Sequence, residues 1–296
     1  MKNLGWVTAL LLAAFFAMGL IGMFIEYGFV GVDMSQALLL PSLEHPLGTD
    51  RLGRDLLPRI FVATRGFFMP GLVAAGIALT LGVSLGAFSG YAPQRGGLSH
   101  RPLWARRALD GARTAVQLML SLPAALPRFV SILLLCAAFG FDPYLMAAAA
   151  GALYAAELGE DVRQRVELCA REEYVEAARS EGLSSARILG HHILWLHCRP
   201  LIVRHLVHLW SFVILVETSL SFMPGEFGIQ EPDPSWGNML VGAREPAMTG
   251  HFWPSLVPTV AIVGTVVLLA WVGDRLAATP VNIAPEAPDE PLPEQI

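Results

Sequence analysis

Residues 172–194 read EEYVEAARSEGLSSARILGHHIL, a polar helix–glycine–helix set between long apolar runs. The stretch from Glu172 to Glu181 is rich in good helix formers, with Ala177 and Ala178 at its centre. Gly182 suits the left-handed residue that closes a helix. Ser184 or Ser185 then caps a second helix whose apolar residues are Ile188, Leu189, Ile193 and Leu194. Two short helices meeting at a glycine bury little apolar surface. The unit is therefore either a connector covering one end of a bundle or a docking element. As a docking element it offers Tyr174 and Val175 as apolar contacts, with Glu176 and Arg179 as polar ones.

The chain around this elbow has the composition of a membrane protein. Of its 296 residues 54% are hydrophobic and 15% charged, against about 25% charged in soluble domains. A bilayer core of about 30 Å needs about 20 residues of helix. Six segments offer that: 4–25, 67–91, 115–139, 144–158, 200–220 and 252–272. The first is too long an apolar run for a signal-peptide core and reads as an uncleaved span. Pro123 and Pro127 break the third, and the fourth is short and alanine-rich. The expected fold is an all-α integral membrane protein.

Orientation follows the arginines, since Lys2 is the single lysine. Loop 92–113 carries Arg95, Arg101, Arg106, Arg107 and Arg113 against Asp110 alone, which predicts a cytoplasmic loop. Alternation then places 159–199 and both termini inside, with 26–66 and 219–252 outside. The tail 280–296, with five prolines and four acids, predicts disorder. The chain divides into a first span with outer loop and interfacial helix (1–66), a transmembrane core with the cytoplasmic loop 159–199 (67–279) and this tail.

Gly82, Gly86 and Gly90 fall on one helical face, where small residues let backbones approach in lipid. Packing within the chain is the simpler use of that face. After HPLGTDRLGRD (45–55), Gly48 makes a turn and Thr49 or Asp50 caps an amphipathic helix at the outer interface, with Arg54, Arg59 and Arg65 off its apolar face. Trp236 ends a Pro-, Gly- and acid-rich outer segment and suits the membrane interface. Arg128 and Glu217 lie in or near spans, where charges normally face a cavity or a partner. They are candidate pathway residues, and they are also candidates to pair with each other. His191, His192, His197, His205 and His208 lack a zinc-helix pattern and read as structural or interfacial. Cys136, Cys169 and Cys198 have no metal-like or disulfide-framework spacing.

The EYVEAARSEG run resembles the EAA loop in permease subunits of bacterial ABC importers. Glu176, Ala177, Ala178 and Gly182 match that pattern, while Trp195 stands where the family usually has proline. HPLGTDRLGRDLLPRI (45–60) and ETSLSF…PDPSWGNML (217–240) resemble the second permease type of dipeptide, oligopeptide and nickel importers. FMPGEFGIQEPDPSW (222–236) is two residues longer than the usual form and adds Glu226 and Glu231. The resemblance implies a type I permease fold of six spans in a bacterial inner membrane. It also implies a homologous permease partner, two ATPase subunits and an extracytoplasmic solute-binding protein. Tyr174, Glu176, Ala177, Ala178, Arg179 and Gly182 would then couple to the ATPases.

Other chemistries find no support. No phosphate-cradling G-x-x-x-x-G-K-[ST] loop is present, so ATP is expected on partner subunits and no cofactor on this chain. Neither a GxSxG elbow nor an HExxH helix occurs, and no broad basic surface suits nucleic acid. An ion-driven transporter acting alone would need intramembrane charges, for which Arg128, Glu157 and Glu217 are the near candidates.

Overall fold

The computed structural model describes residues 2–25, 32–91, 102–125, 127–223, 225 and 227–277. The acidic tail 280–296, together with Arg95, Arg101, Pro224 and Glu226, lies outside the described residues. Four helical runs are long and apolar enough to cross a membrane: Trp6–Phe24, Leu56–Gly90, Ser185–Phe222 and Trp253–Ala277. Two further helical segments pack with them. One is α7 (Pro143–Cys169), whose apolarity is diluted by alanine, glycine and carboxylates. The other is split into α5 (Leu103–Ser121) and α6 (Arg128–Phe139).

The segment 115–139 is interrupted where Pro123 and Pro127 predict a break. A 3-10 turn, Leu122–Ala125, separates the two helices. Pro123 and Pro127 each lack an N–H, which interrupts the α-helical hydrogen-bond ladder here. The fourth span differs from expectation, running to Cys169 rather than ending at 158. Asp142 caps its start by accepting from the Leu145 N–H at 2.7 Å, with Pro143 in the first turn. A ladder of Arg163 to Glu160 (2.6 Å) and Glu167 (3.0 Å), and Arg171 to Glu167 (2.7 Å), carries the helix beyond its apolar part.

Helix α7 is the hub. Met146, Ala147, Ala150, Leu158, Val162 and Val166 are fully buried along it. The glycine stripe packs on it from within the chain, along the run α3 (Arg65–Ile77), a π-helical stretch (Ala78–Val83) and α4 (Ser84–Gly90). A Cβ on Gly82, Gly86 or Gly90 would lie 2.9, 2.3 or 2.5 Å from the carbonyl oxygens of Ala155, Gly159 and Arg163 respectively. Four-residue steps on one helix thus meet four-residue steps on the other. Phe15 and Phe16 of α1 (Lys2–Phe24) join Phe68 and Trp210 in an aromatic cluster that fixes the first span.

At the end opposite the elbow the amphipathic reading of 54–68 needs correction. Helix α2 (Leu56–Val62) is capped by Asp55, which accepts from the Leu57 N–H at 2.8 Å; Thr49 and Asp50 do not cap it. The helix starts later because Gly48 and Gly53, at φ of 74° and 73°, fold residues 48–55 into two turns. Arg59 is 1% exposed rather than lying on a wet face. Arg65 donates to the Gly22, Met23 and Ile25 carbonyls and so closes the C-terminus of α1.

Trp236 is likewise not interfacial but fully buried, donating to the Ile60 carbonyl at 3.0 Å and lying 4.7 Å from the Phe67 ring. It opens α11 (Trp236–Met248), a helix absent from the expected layout and held by a Ser235–Asn238 capping box. Trp253, at the head of α12 (Trp253–Ala277), donates to the Leu47 carbonyl at 2.7 Å.

Candidate functional site

The elbow forms as its residues dictate. Helix α8 (Glu173–Ser180) carries Glu173 and Glu176 in its first turn and Arg179 in its last, both favourable to the helix dipole. Its end is a Schellman closure: Gly182 N–H donates to the Arg179 carbonyl at 3.0 Å and Leu183 N–H to the Ala178 carbonyl at 3.1 Å. Gly182 has φ of 82°, the left-handed conformation that glycine adopts without strain. Ser184 then caps α9 (Ser185–Arg187).

Beyond Arg187 the second arm does not end as a separate short helix. It continues through a π-helical stretch (Ile188–Cys198) into α10 (Arg199–Phe222), one helical rod from Ser185 to Phe222. Trp195, where the resembled family has proline, leaves this rod unbroken, because tryptophan keeps its backbone N–H. Arg199 lies over the Trp195 ring at 5.0 Å. The second arm of the elbow is therefore continuous with a long apolar helix.

The six expected coupling residues divide by direction. Glu176 and Ala177 face outward with Glu172, Glu173, Ser180 and Glu181. Val175 and Ala178 are buried against the bundle. Tyr174 stacks on His197 at 5.4 Å, and burial, aided by Cys169, pushes its phenol well above the usual tyrosine range. Arg179 turns inward, donating to the Tyr91 hydroxyl at 3.2 Å with its guanidinium 5.7 Å from that ring. Arg113 of α5 donates to the Tyr91 carbonyl at 2.9 Å. Tyr91 thus ties the elbow to the end of the glycine-stripe helix and to α5. Sequence reasoning missed it; the only signal was its place just after Gly90.

The two candidate pathway residues are not brought together. Arg128 pairs with Glu157, Nη2 to Oε2 at 2.5 Å, and not with Glu217. The reason is connectivity: α6 and α7 form a tight hairpin through Gly140–Asp142, which places Arg128 beside the middle of α7. Glu217 is 0% exposed, accepts from the Ser221 hydroxyl at 2.8 Å, and that hydroxyl accepts from the Ile229 N–H at 2.9 Å. In this conformation Glu217 links α10 to the segment 227–235.

A second polar cluster sits at the opposite end. Glu231 accepts from Arg54 at 2.7 Å and from Arg59 at 2.8 Å, while Asp50 accepts from Arg54 at 2.7 Å. Burial acts to raise the Glu231 carboxyl, but the two arginines outweigh it and hold it below the usual carboxylate range. The cluster locks 50–59 to the lengthened segment before Trp236 and walls a cavity of about 700 Å³ also lined by Ser221, Asn238 and Met239. His205 meets Asp161 at 2.8 Å and His208 meets Asp274 at 3.4 Å. Among the described residues no three His, Cys, Asp or Glu side chains converge as metal ligands.

Comparison with known proteins adds the lineage. Residues 82–279 match the family model described as the binding-protein-dependent transport system inner membrane component. The chain is similar to the dipeptide transport system permease protein DppC of Alkalihalophilus pseudofirmus, at 29% identity over 91% of this chain and 81% of the relative. It is similar to the di/tripeptide permease protein DppC of Pseudomonas aeruginosa, at 30% over 78% of this chain and 69% of the relative. The oligopeptide permease protein OppC of Haemophilus influenzae shares 29% over 86% and 76% respectively.

Proposed function

This chain belongs to the family of binding-protein-dependent transport system inner membrane components, and on that premise we propose that it passes peptides through one half of a paired permease. The family membership makes it the membrane permease of an ATP-driven importer, working with ATPase and solute-binding partners, and not itself an enzyme. Peptides are the proposed cargo because the relatives are named for dipeptide, di/tripeptide and oligopeptide transport. The proposed assembly is one homologous permease, two ATPases and one binding protein. The elbow and both termini face the cytoplasm, where the ATPases bind nucleotide. No cofactor is proposed on this chain.

One observation carries the coupling role: the elbow's exposed face lies at the tip of the continuous rod Ser185–Phe222. Glu176 and Ala177 make the ATPase contact, Gly182 sets the angle, and Arg179 and Ala178 fasten the elbow to the bundle. Closure of the ATP-bound dimer favours one position of the rod over another, which is the differential binding that a conformational switch requires.

The test is a complex purified through this chain and reconstituted in lipid. A single cysteine at Ala177, in a background without Cys136, Cys169 and Cys198, should crosslink to an ATPase subunit. Peptide-loaded binding protein should stimulate ATP hydrolysis. Labelling of that cysteine from the extracytoplasmic side, or failure to capture any ATPase, would refute the assignment.

A further inference from the structure

The Arg128–Glu157 pair is unexplained by either the elbow or the core. Its side chains are 35% and 43% exposed, and both lie far from the α6–α7 turn. Helix α6 has 12 residues, so Arg128 lies about 17 Å from the α6–α7 turn at 1.5 Å per residue. Glu157 lies about 21 Å along α7 from Pro143. In a hydrocarbon layer of about 30 Å both are near the middle. A charge facing lipid there costs at least about 2.5 kcal/mol, so the open side of the pair faces water or protein.

The surroundings resemble a built site. The Arg128 guanidinium lies 5.1 Å from the Tyr154 ring centroid and 6.0 Å from that of Phe212. One turn nearer the elbow, Asp161 pairs with the buried His205 at 2.8 Å, and the Tyr154 ring is 5.8 Å from His205. Tyr154, Glu157 and Asp161 thus form a polar stripe along α7, which is alanine-rich up to Glu157 and charged beyond it.

We infer that this stripe borders the solute path and that the Arg128–Glu157 pair passes zwitterions bearing one free carboxylate and one free ammonium. The inference rests on the peptide-import reading above. The solute carboxylate takes the place of Glu157 at the guanidinium, while its ammonium takes the place of Arg128 at Glu157. Each protein charge keeps one opposite partner throughout, so neither is left alone in a low-dielectric setting. Tyr154 and Phe212 hold the guanidinium in place while its anionic partner exchanges. A solute with blocked ends would open the pair without replacing either half.

A charge-removal cycle tests this in the reconstituted complex, using labelled dipeptide and its loaded binding protein. Arg128→Gln, Glu157→Gln and the double variant are compared for uptake, co-purification of partners and melting temperature. A pair that only braces the fold predicts that each single change, leaving one lone charge, is worse than the double. A solute-handling pair predicts uptake at least tenfold below wild type in the double variant, no better than in either single one, with partners and melting temperature retained. Arg128→Lys keeps the charge but loses the planar two-pronged grip on carboxylate. It should also lower uptake, and it decides the matter if the double variant does not assemble. Recovery of uptake in the double variant, or wild-type uptake by Arg128→Lys, overturns the inference alone. Failure of the wild-type complex to import any dipeptide overturns the peptide reading and this inference with it.

Discussion

Replacing Gly182 isolates the geometry of the elbow from its contacts. At φ of 82° the residue is left-handed, and a Cβ added there would meet nothing within 4 Å. The cost of Gly182→Ala is therefore conformational, about 1–2 kcal/mol for an L-residue in this region. That disfavours the native elbow roughly five- to thirtyfold against alternatives. Asparagine tolerates the conformation better, and β-branched valine tolerates it least. Both bonds of the Schellman closure depend on this one residue. Insertion and melting temperature should change little, because the side chain touches no core atom. The assay is ATP hydrolysis by the complex in nanodiscs at saturating loaded binding protein. Stimulation should fall in the order Gly, Asn, Ala, Val. Full stimulation in Gly182→Val, or Asn as poor as Val, would refute the argument that backbone handedness sets the coupling angle.

Gly86→Ala places a methyl 2.3 Å from the Gly159 carbonyl oxygen and should destabilise by about 1–3 kcal/mol through overpacking. Gly76→Ala, with nothing within 4 Å, should stabilise by up to about 1 kcal/mol; melting curves in detergent compare the two. Tyr91→Phe removes the hydrogen bond from Arg179 but leaves the ring, and should cost about 1 kcal/mol, read as faster proteolysis at the elbow with the bundle intact. Glu231→Gln weakens the lock on Arg54 and Arg59. The expected loss is about 1–3 kcal/mol, below a fully buried pair's because the carboxylate is 44% exposed. The Glu231 carboxyl titrates below its ordinary 4.5 when folded. Its contribution is thus complete above about pH 4.5 and disappears as pH falls through the lower folded value. The melting-temperature gap between wild type and Glu231→Gln should close over that acid range, and a gap unchanged down to pH 2 would contradict the lock.

The elbow was legible because its signals are local. Helix formers, Gly182 and Ser184 act within a few residues of one another, and each occupies the conformation its chemistry favours. The glycine face at 82–90 was legible for the same reason, since helical periodicity is a short-range property. The break of the third span at Pro123 and Pro127 was legible on the same ground. The end of the fourth was misplaced because its apolar run stops near Leu158 while the Arg163–Glu167 ladder carries the helix on. The readings of Arg59 and Trp236 failed where distant partners decide: Arg59 meets Glu231 and Trp236 meets Ile60.

Residue roles divided the same way. Composition and the arginine pattern determined a multi-pass membrane chain with a protruding polar elbow. Only the tertiary structure decided that Arg128 meets Glu157, that Arg179 reaches back 88 positions to Tyr91, and that Arg59 is buried against Glu231 172 positions away. A charge in or beside a membrane must find a partner or water, so the sequence announces that a partner exists. Which carboxylate answers depends on how close two helices pack and where their turns fall, and no local spacing encodes that.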